Sequence, residues 1–420
     1  MRIAMISAHS SPLATPGGKE AGGMNVYIRE LSRELGRRGN QVDIFTRTQD
    51  PDAPLLVSPG RNVRVVHMRA GPPAPYDKNW LLDHLPEFVN HVRCFADGED
   101  ISYDVIHSHY WLSGEAAIAL RRAWGVPMVH MFHTLGALKN RVARSAEERE
   151  TQQRVAIERH VAAEADVLVA ATPLDRADLV WHCGAEPQRI EVIPCGVDVQ
   201  RFAVRDMAAA RAALDLPPLP HRIVLLVGRI EPLKGIDALI EAVALLRQRH
   251  PEWSERLVAL VVGGANEGER SRWNAEQQRL HALRVKLGVE QNVCFLGAQS
   301  QERLPQFYAA SDIVTMPSHY ESFGMAALEG LACGRPVVAT NAGGPAYIVE
   351  DGVSGLLTPP NNPSALADQV ERLLANDALR TNMGRAARDH AARFSWPMIA
   401  DQIAQVYCQL VGQQKCRAAG

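Results

Sequence analysis

Residues 313–329 read Ile313-Val314-Thr315-Met316-Pro317-Ser318-His319-Tyr320-Glu321-Ser322-Phe323-Gly324-Met325-Ala326-Ala327-Leu328-Glu329. The first four form a short apolar, β-branched run of the kind buried on both faces of a parallel sheet, and helix-forming residues follow Gly324. A polar, aromatic loop joins them. This is one βα unit, and in open α/β sheets ligands bind at the loop beyond the carboxyl end of a strand. With the helix beginning near Gly324, Glu321 lies in the loop before its N-terminus and Glu329 more than a turn along it. Two such carboxylates can accept hydrogen bonds from the hydroxyls of one ligand whose anionic part sits near the free N–H groups of the helix start. An isolated glutamate pair is more often a solvated loop residue and a solvated helix residue. The aromatic loop and the buried strand before it favour the ligand reading, and the chemistry described is that of a nucleotide sugar.

Outward from this unit the same alternation runs through the chain. Apolar runs occur at 3–6, 42–45, 63–67, 105–107, 128–131, 167–170, 190–193, 223–227, 258–262, 293–296, 313–316 and 336–339. Segments with a period near 3.6 lie between most of them, for example 24–38, 236–249, 326–333 and 365–374. Repeated βαβ predicts parallel sheets covered by helices. The pattern restarts at Arg222-Ile223-Val224-Leu225-Leu226-Val227, after the proline-rich Leu216-Pro217-Pro218-Leu219-Pro220, and the hinge is expected near Ile193-Pro194-Cys195-Gly196-Val197-Asp198. Two Rossmann-like domains are therefore expected, residues 1–195 and 196–395. A closing helix over about 398–410 has no strand after it and is expected to cross back to the first domain, so that 396–420 completes it. The end from Gly412 is expected to fray.

The length of 420 residues suits two domains, and 46% hydrophobic with 22% charged residues suits a globular protein. A formal net charge of -2 gives no global pull toward nucleic acid or an anionic membrane. No apolar run has bilayer length, and Met1-Arg2-Ile3-Ala4-Met5-Ile6 enters a strand-like segment instead of a signal peptide, so a cytoplasmic location is expected. Seven cysteines without any Cys-x-x-Cys support neither a disulfide framework nor a zinc knuckle. The absence of Gly-x-Gly-x-x-Gly after either opening strand, and of a Walker-type Gly-x-x-x-x-Gly-Lys-Ser/Thr, removes the main support for dinucleotide oxidoreductase and P-loop NTPase readings.

Three further constellations lie at strand ends. Gly228-Arg229-Ile230-Glu231-Pro232-Leu233-Lys234-Gly235 puts a guanidinium and an ammonium on one strand-to-helix loop. Arg grips two phosphate oxygens in a fork and Lys adds a mobile charge, both useful to a departing diphosphate, although such pairs also occur as plain surface charge. Gly17-Gly18-Lys19-Glu20-Ala21-Gly22-Gly23-Met24-Asn25 precedes an amphipathic helix, where glycine backbone can approach an oxyanion or simply form a flexible loop, and Asn25 could cap the helix or touch substrate. His133 ends the run Val129-His130-Met131-Phe132 and is read as a polar group facing the inter-domain cleft, against the commoner alternative of a satisfied core histidine. His130-x-x-His133 with His107-x-His109 suggests a metal only weakly, because no neighbouring carboxylate completes a ligand set. Lys78, Tyr110, Thr134 and Arg154 carry no individual signal.

In combination Gly22-Gly23, His133, Arg229…Lys234 and Glu321…Glu329 resemble the signature of retaining glycosyltransferases of the GT-B fold, the group with Glu-x7-Glu, and the resemblance spans essentially the whole chain. It implies two Rossmann-like domains facing across a cleft. By the same resemblance Arg229 and Lys234 hold the donor diphosphate with Gly22 and Gly23, Glu321 with Ser322, Phe323 and Gly324 meets the donor sugar, Glu329 the ribose, and His133 lies beside the transferred sugar. His133, Arg229, Lys234 and Glu321 are then the catalytic candidates. Within that group Ala21-Gly22-Gly23-Met24-Asn25-Val26-Tyr27, Phe45-Thr46-Arg47 and Ile106-His107-Ser108-His109-Tyr110-Trp111-Leu112-Ser113-Gly114 are similar to D-inositol-3-phosphate glycosyltransferases of mycothiol biosynthesis, and much of this surface is shared with sucrose-phosphate synthases. In the former a Lys, a Tyr, a Thr and an Arg grip the acceptor phosphate, matching Lys78, Tyr110, Thr134 and Arg154, with His9 and Asn25 nearby. The implied partners are a nucleoside diphosphate sugar, UDP-linked by the resemblance, and a phosphorylated small-molecule acceptor, inositol phosphate or fructose 6-phosphate. No metal site and no cofactor are expected, although Mg2+ can accompany the nucleotide, and a homodimer is compatible with the class.

Overall fold

The computed structural model describes residues 1–14, 22–146 and 148–419. The chain divides into two compact units, one containing Met1–Ala14, Gly23–Pro194 and Trp396–Gly420 and the other Cys195–Ser395. Each is a mainly parallel sheet flanked by helices.

The first unit holds eight strands: β1 (Arg2–Ile6), β2 (Gln41–Arg47), β3 (Leu56–Gly60), β4 (Val63–Met68), β5 (Val105–His109), β6 (Met128–Met131), β7 (Val167–Ala170) and β8 (Ile190–Val192). They lie in the order β3-β4-β2-β1-β5-β6-β7-β8. All pairs are parallel except β3 with β4. The chain reverses its direction of winding at β1, which lies between β2 and β5, and this is the switch point at which open sheets place ligands. The central strands are apolar on both faces because helices cover both: Ile3, Met5, Val105, Ile106, Met128 and Val129 have no exposed surface. The helix Gly23–Arg37 buries Val26, Tyr27, Ile28, Leu31 and Leu35. The closing helix, Trp396–Ala419, packs in this unit, where Arg38 Nε bonds Asp401 Oδ1 at 2.9 Å and the Tyr407 hydroxyl bonds buried His107 Nδ1 at 2.6 Å. It runs past the expected end at 410, because nothing after Leu410 is a strong breaker and one Gly412 costs a helix only about 1 kcal/mol.

The second unit holds β9 (Arg222–Val227), β10 (Leu257–Asn266), β11 (Val293–Gly297), β12 (Ile313–Met316), β13 (Val337–Thr340) and β14 (Gly355–Thr358), all parallel, in the order β11-β10-β9-β12-β13-β14. Helices Ile236–Arg249 and Pro363–Leu374 cover one face, bringing Leu239, Ile240, Val243, Leu366, Val370 and Leu373 into a core with Val224, Leu226, Ala259 and Val261. Each such aliphatic side chain contributes about 1.5–3 kcal/mol when fully removed from water. Here β9 and β12 are the adjacent pair between which the winding reverses, and the Arg229 and Glu321 loops leave their carboxyl ends.

Candidate functional site

In the first unit the predicted residues gather at the carboxyl ends of β1, β5 and β6. Two non-glycine residues there hold left-handed backbone, Tyr110 at φ 75 just after β5 and His133 at φ 62 just after β6. Each such residue costs about 1–3 kcal/mol, which packing must offset, and strain of this kind concentrates at working sites. Tyr110 is fixed by its N–H donating to Met131 O at 3.0 Å, and His9 lies on its ring with centroids 4.3 Å apart. Burial, then the nearby Lys78 and Arg154 charges, push the His9 imidazole down to about 3.

The helix Gln152–Glu164 begins with Thr151, whose side chain accepts from the Arg154 N–H. This capped first turn directs Arg154 inward, and its side chain has no exposed surface. Arg154 Nη1 donates to the Tyr110 hydroxyl at 2.9 Å, and Nη2 donates to Thr134 O at 3.0 Å and Thr134 Oγ1 at 3.1 Å. Nε donates to Glu158 Oε1 at 2.7 Å. Lys78, in the turn Lys78–Trp80, places Nζ 5.6 Å from the Tyr110 ring centre. All four predicted phosphate-gripping side chains thus belong to one cluster. Desolvation would lower the Lys78 and Arg154 values, but Tyr110 and the neighbouring carboxylates outweigh it and both move up. Both stay charged despite burial.

The histidines form a separate chain of contacts. His109 Nδ1 lies 3.0 Å from His133 Nε2, and Ser108 Oγ lies 2.7 Å from His130 Nδ1. Desolvation lowers His133 and, with help from His133, His107, each to about 3, so these rings are neutral. Among the described residues no group of three His, Cys, Asp or Glu side chains is arranged to hold a metal. Asn25 is the third residue of its helix and not its cap: Nδ2 donates to Ser10 Oγ at 2.6 Å and Ser11 O at 2.7 Å, tying the loop after β1 to the helix. Gly23 opens that helix and Gly22 precedes it, while residues 15–21 of the glycine-rich loop lie outside the described residues.

In the second unit Gly324, at φ 101, starts the helix Met325–Ala332, so Glu321 is in the loop and Glu329 in the second turn. The Lys234 ammonium donates to Glu321 Oε2. Arg229 Nη1 lies 2.8 Å from Glu231 Oε1. Both cations therefore rest on carboxylates, and the Glu321 loop is braced from behind. Gly344 N–H donates to Glu321 O at 2.8 Å, and Gly343, at φ 61, must lack a side chain because a Cβ there would stand 2.2 Å from that same oxygen. Ser322 Oγ donates to the Tyr320 hydroxyl at 3.2 Å, and Phe323 is buried. Glu329 is itself buried and accepts a hydrogen bond from the Tyr308 hydroxyl at 2.7 Å.

Sequence reasoning missed Glu150, Glu158, Lys139, Tyr308 and the Gly343-Gly344 brace. Glu150 and Glu158 stand four residues before and after Arg154, Glu158 one turn along the same helix and Glu150 in the loop before its cap, a spacing that could have found them. Tyr308 has no such local signal.

Residues 215–390 match the family model described as Glycosyl transferases group 1, and residues 21–201 match Glycosyltransferase Family 4. The chain is 43% identical to the D-inositol 3-phosphate glycosyltransferase of Saccharomonospora viridis, over 97% of this chain and 93% of that protein. To the protein of the same name from Corynebacterium jeikeium it is 41% identical, over 98% and 97%. Among solved structures, a sucrose-phosphate synthase from Thermosynechococcus elongatus superposes with a TM-score of 0.89 at 34% identity, covering 98% of this chain and 99% of that one. The fold is also that of Anabaena HepE, solved in complex with UDP and glucose, with a TM-score of 0.76 at 23% identity over 98% and 100% of the two chains. Among the described residues no helix is long and apolar enough to cross a membrane. With strand order, strand-end loops and full-length similarity in agreement, the chain is a glycosyltransferase of the two-domain GT-B fold and belongs to the D-inositol 3-phosphate glycosyltransferase family.

Proposed function

We propose that this enzyme moves a hexosyl group, N-acetylglucosamine or glucose, from a UDP-linked donor to the hydroxyl of a phosphorylated polyol, 1D-myo-inositol 3-phosphate, with retention at the anomeric carbon. The observation that carries the acceptor reading is the cluster in which buried Arg154 joins Tyr110 and Thr134 beside Lys78. Two cations and two hydroxyls match a phosphomonoester, and the cluster's net positive charge gives a neutral acceptor no corresponding advantage. The first unit is read as the acceptor domain and the second as the donor domain.

On the donor side, Arg229 and Lys234 exchange Glu231 and Glu321 for the diphosphate oxygens. Negative charge grows on those oxygens as the sugar bond breaks, so cations already on the loop lower the barrier more than groups that only bind substrate. Released from Lys234, the Glu321 carboxylate is available to sugar hydroxyls. Glu329, oriented by Tyr308, accepts from the ribose. His133 is neutral, so it serves the sugar as a hydrogen-bonding partner and not as a cation. The acceptor hydroxyl attacks from the face the diphosphate leaves, its proton passing to a leaving-group oxygen, without a glycosyl-enzyme intermediate. No resident cofactor enters this scheme. Magnesium accompanies the nucleotide at most, and reaction with such donors belongs to the cytoplasm.

The test is a matrix of UDP-glucose and UDP-N-acetylglucosamine against myo-inositol 3-phosphate, fructose 6-phosphate and unphosphorylated inositol, with products detected by mass. Product is expected with the inositol phosphate and not with inositol. Transfer to fructose 6-phosphate alone would replace the acceptor by that of a sucrose-phosphate synthase. A trapped sugar–enzyme adduct would overturn the front-face step.

A further inference from the structure

The Arg154 cluster contains two carboxylates that are held in different ways. Glu158 is built into the frame: its side chain is 2% exposed, the Gly136 N–H donates to its two oxygens at 3.0 and 2.9 Å, and Arg154 Nε donates to Oε1. Glu150 lies in the loop before the capped helix, and a single oxygen, Oε1, serves three cations. That oxygen is 2.8 Å from Arg154 Nη1 and 3.6 Å from Lys78 Nζ, and it accepts a hydrogen bond from the Lys139 ammonium. Among the described residues no backbone N–H donates to the Glu150 carboxylate. The residue is anchored instead through its own backbone, its N–H donating to Asn140 Oδ1 at 2.7 Å and its carbonyl accepting from Asn140 Nδ2 at 3.1 Å. The side chain can therefore swing without undoing the loop.

Charge gives the direction of exchange. Lys78, Lys139 and Arg154 face Glu150 and Glu158, one net positive charge in all. An acceptor phosphate carries about 1.5 to 2 negative charges near neutral pH. With both carboxylates in place it would leave the cluster negative. With Glu150 turned away, the three cations and Glu158 offer two net positive charges. Burial would raise the Glu150 carboxyl, but Arg154, Lys78 and Lys139 outweigh that and hold it down at about 2, so it leaves as an anion.

We propose that Glu150 is an exchangeable counter-ion, displaced from Lys78, Lys139 and Arg154 by the acceptor phosphate, and that this competition sets the affinity for the acceptor. It adds Lys139 to the cations that meet the phosphate and Glu150 as the group that tunes them. The inference rests on the phosphorylated-acceptor reading above.

Replacement of Glu150 by glutamine (Glu150→Gln) in the full chain removes the competing charge while keeping size and one acceptor. Inorganic phosphate is the probe, as a competitive inhibitor against myo-inositol 3-phosphate. Its inhibition constant and the acceptor KM are expected to fall together by about fivefold or more, the scale of a partly exposed ion pair, with kcat little changed. Glu150→Asp, with its charge withdrawn by one methylene, is expected to fall between wild type and Glu150→Gln, and it supplies the test if the carboxamide variant does not fold. A rise in acceptor KM, or phosphate inhibition unchanged in both variants, would overturn the proposal by showing Glu150 to hold the cations in place. Absence of phosphate inhibition in wild type and variants, with sugar still transferred to a neutral acceptor, would overturn the phosphorylated-acceptor reading and this inference with it.

Discussion

Arg154 in the first unit has no exposed side-chain surface, whereas Arg229 in the second is 39% exposed, although each is read as gripping phosphate. Arg154 is held by Tyr110, Thr134, Glu158 and Glu150, fixed before any ligand arrives. Of the loop cations in the second unit, Arg229 lies against Glu231 and Lys234 against Glu321, on side chains that keep part of their surface exposed. On the proposed reading, the difference teaches that two phosphate grips in one chain solve opposite problems. A buried grip costs desolvation and rewards only an acceptor with matching charge, so it is suited to selection. A half-exposed grip is cheaper to rearrange, which suits a diphosphate that must be bound, stabilised as it gains charge, and released.

The comparison breaks most visibly at Arg154. Arg154→Met leaves buried Glu158 without its cation and takes one of three from Glu150, and the expected loss is about 3–5 kcal/mol of folding stability, measured by chemical denaturation, together with loss of acceptor saturation. Arg229→Ala should instead leave stability within about 0.5 kcal/mol of wild type. Its cost should appear in kcat/KM, about 2 kcal/mol or more of transition-state stabilisation, read from steady-state kinetics. If Arg229→Ala unfolds the protein, or Arg154→Met leaves it as stable as before, the two grips do not differ in the way their burial implies.

The same contrast governed what the sequence disclosed. Each apolar run proposed from pattern became a strand, because strands covered on both faces must be continuously apolar. The two strands that escaped, β3 and β14, break that rule. Leu56-Val57-Ser58-Pro59-Gly60 is an exposed edge carrying Pro, and Gly355-Leu356-Leu357-Thr358 opens on Gly. The Glu321…Glu329 unit was legible because loop and helix follow directly on their strand. The shell around Arg154 was less so: Tyr110, 44 residues away, was named only through the family resemblance, and Glu150 and Glu158 were missed although each stands four residues from Arg154. Tyr308 and Glu329 lie 21 residues apart and Lys234 and Glu321 87 apart, and pairings of that kind are made by the sheet order, which no local pattern carries.

Tyr308 brings a buried element into the exposed donor grip. Burial and the adjacent Glu329 raise its phenol well above the usual range, so it remains a donor to that carboxylate. Tyr308→Phe keeps the ring and deletes one hydrogen bond, with an expected cost of about 1–2 kcal/mol in donor binding, measured calorimetrically with UDP, and no change in acceptor KM. An equal effect on donor and acceptor would point to general loosening instead of misdirection of Glu329.

The smallest effect belongs to Glu231, the exposed counterpart of Glu150. Both carboxylates sit on an arginine proposed to hold phosphate, but Glu231 is 34% exposed against 9% for Glu150. Solvent screens the exposed pair, so Glu231→Gln should tighten UDP binding by at most about 0.5 kcal/mol, roughly twofold, and the gain should vanish in high salt. The Glu150→Gln gain, made in a drier setting, should survive the same salt. Equal salt sensitivity in the two variants would mean that burial does not separate the grips and that the acceptor site draws its selectivity from shape instead.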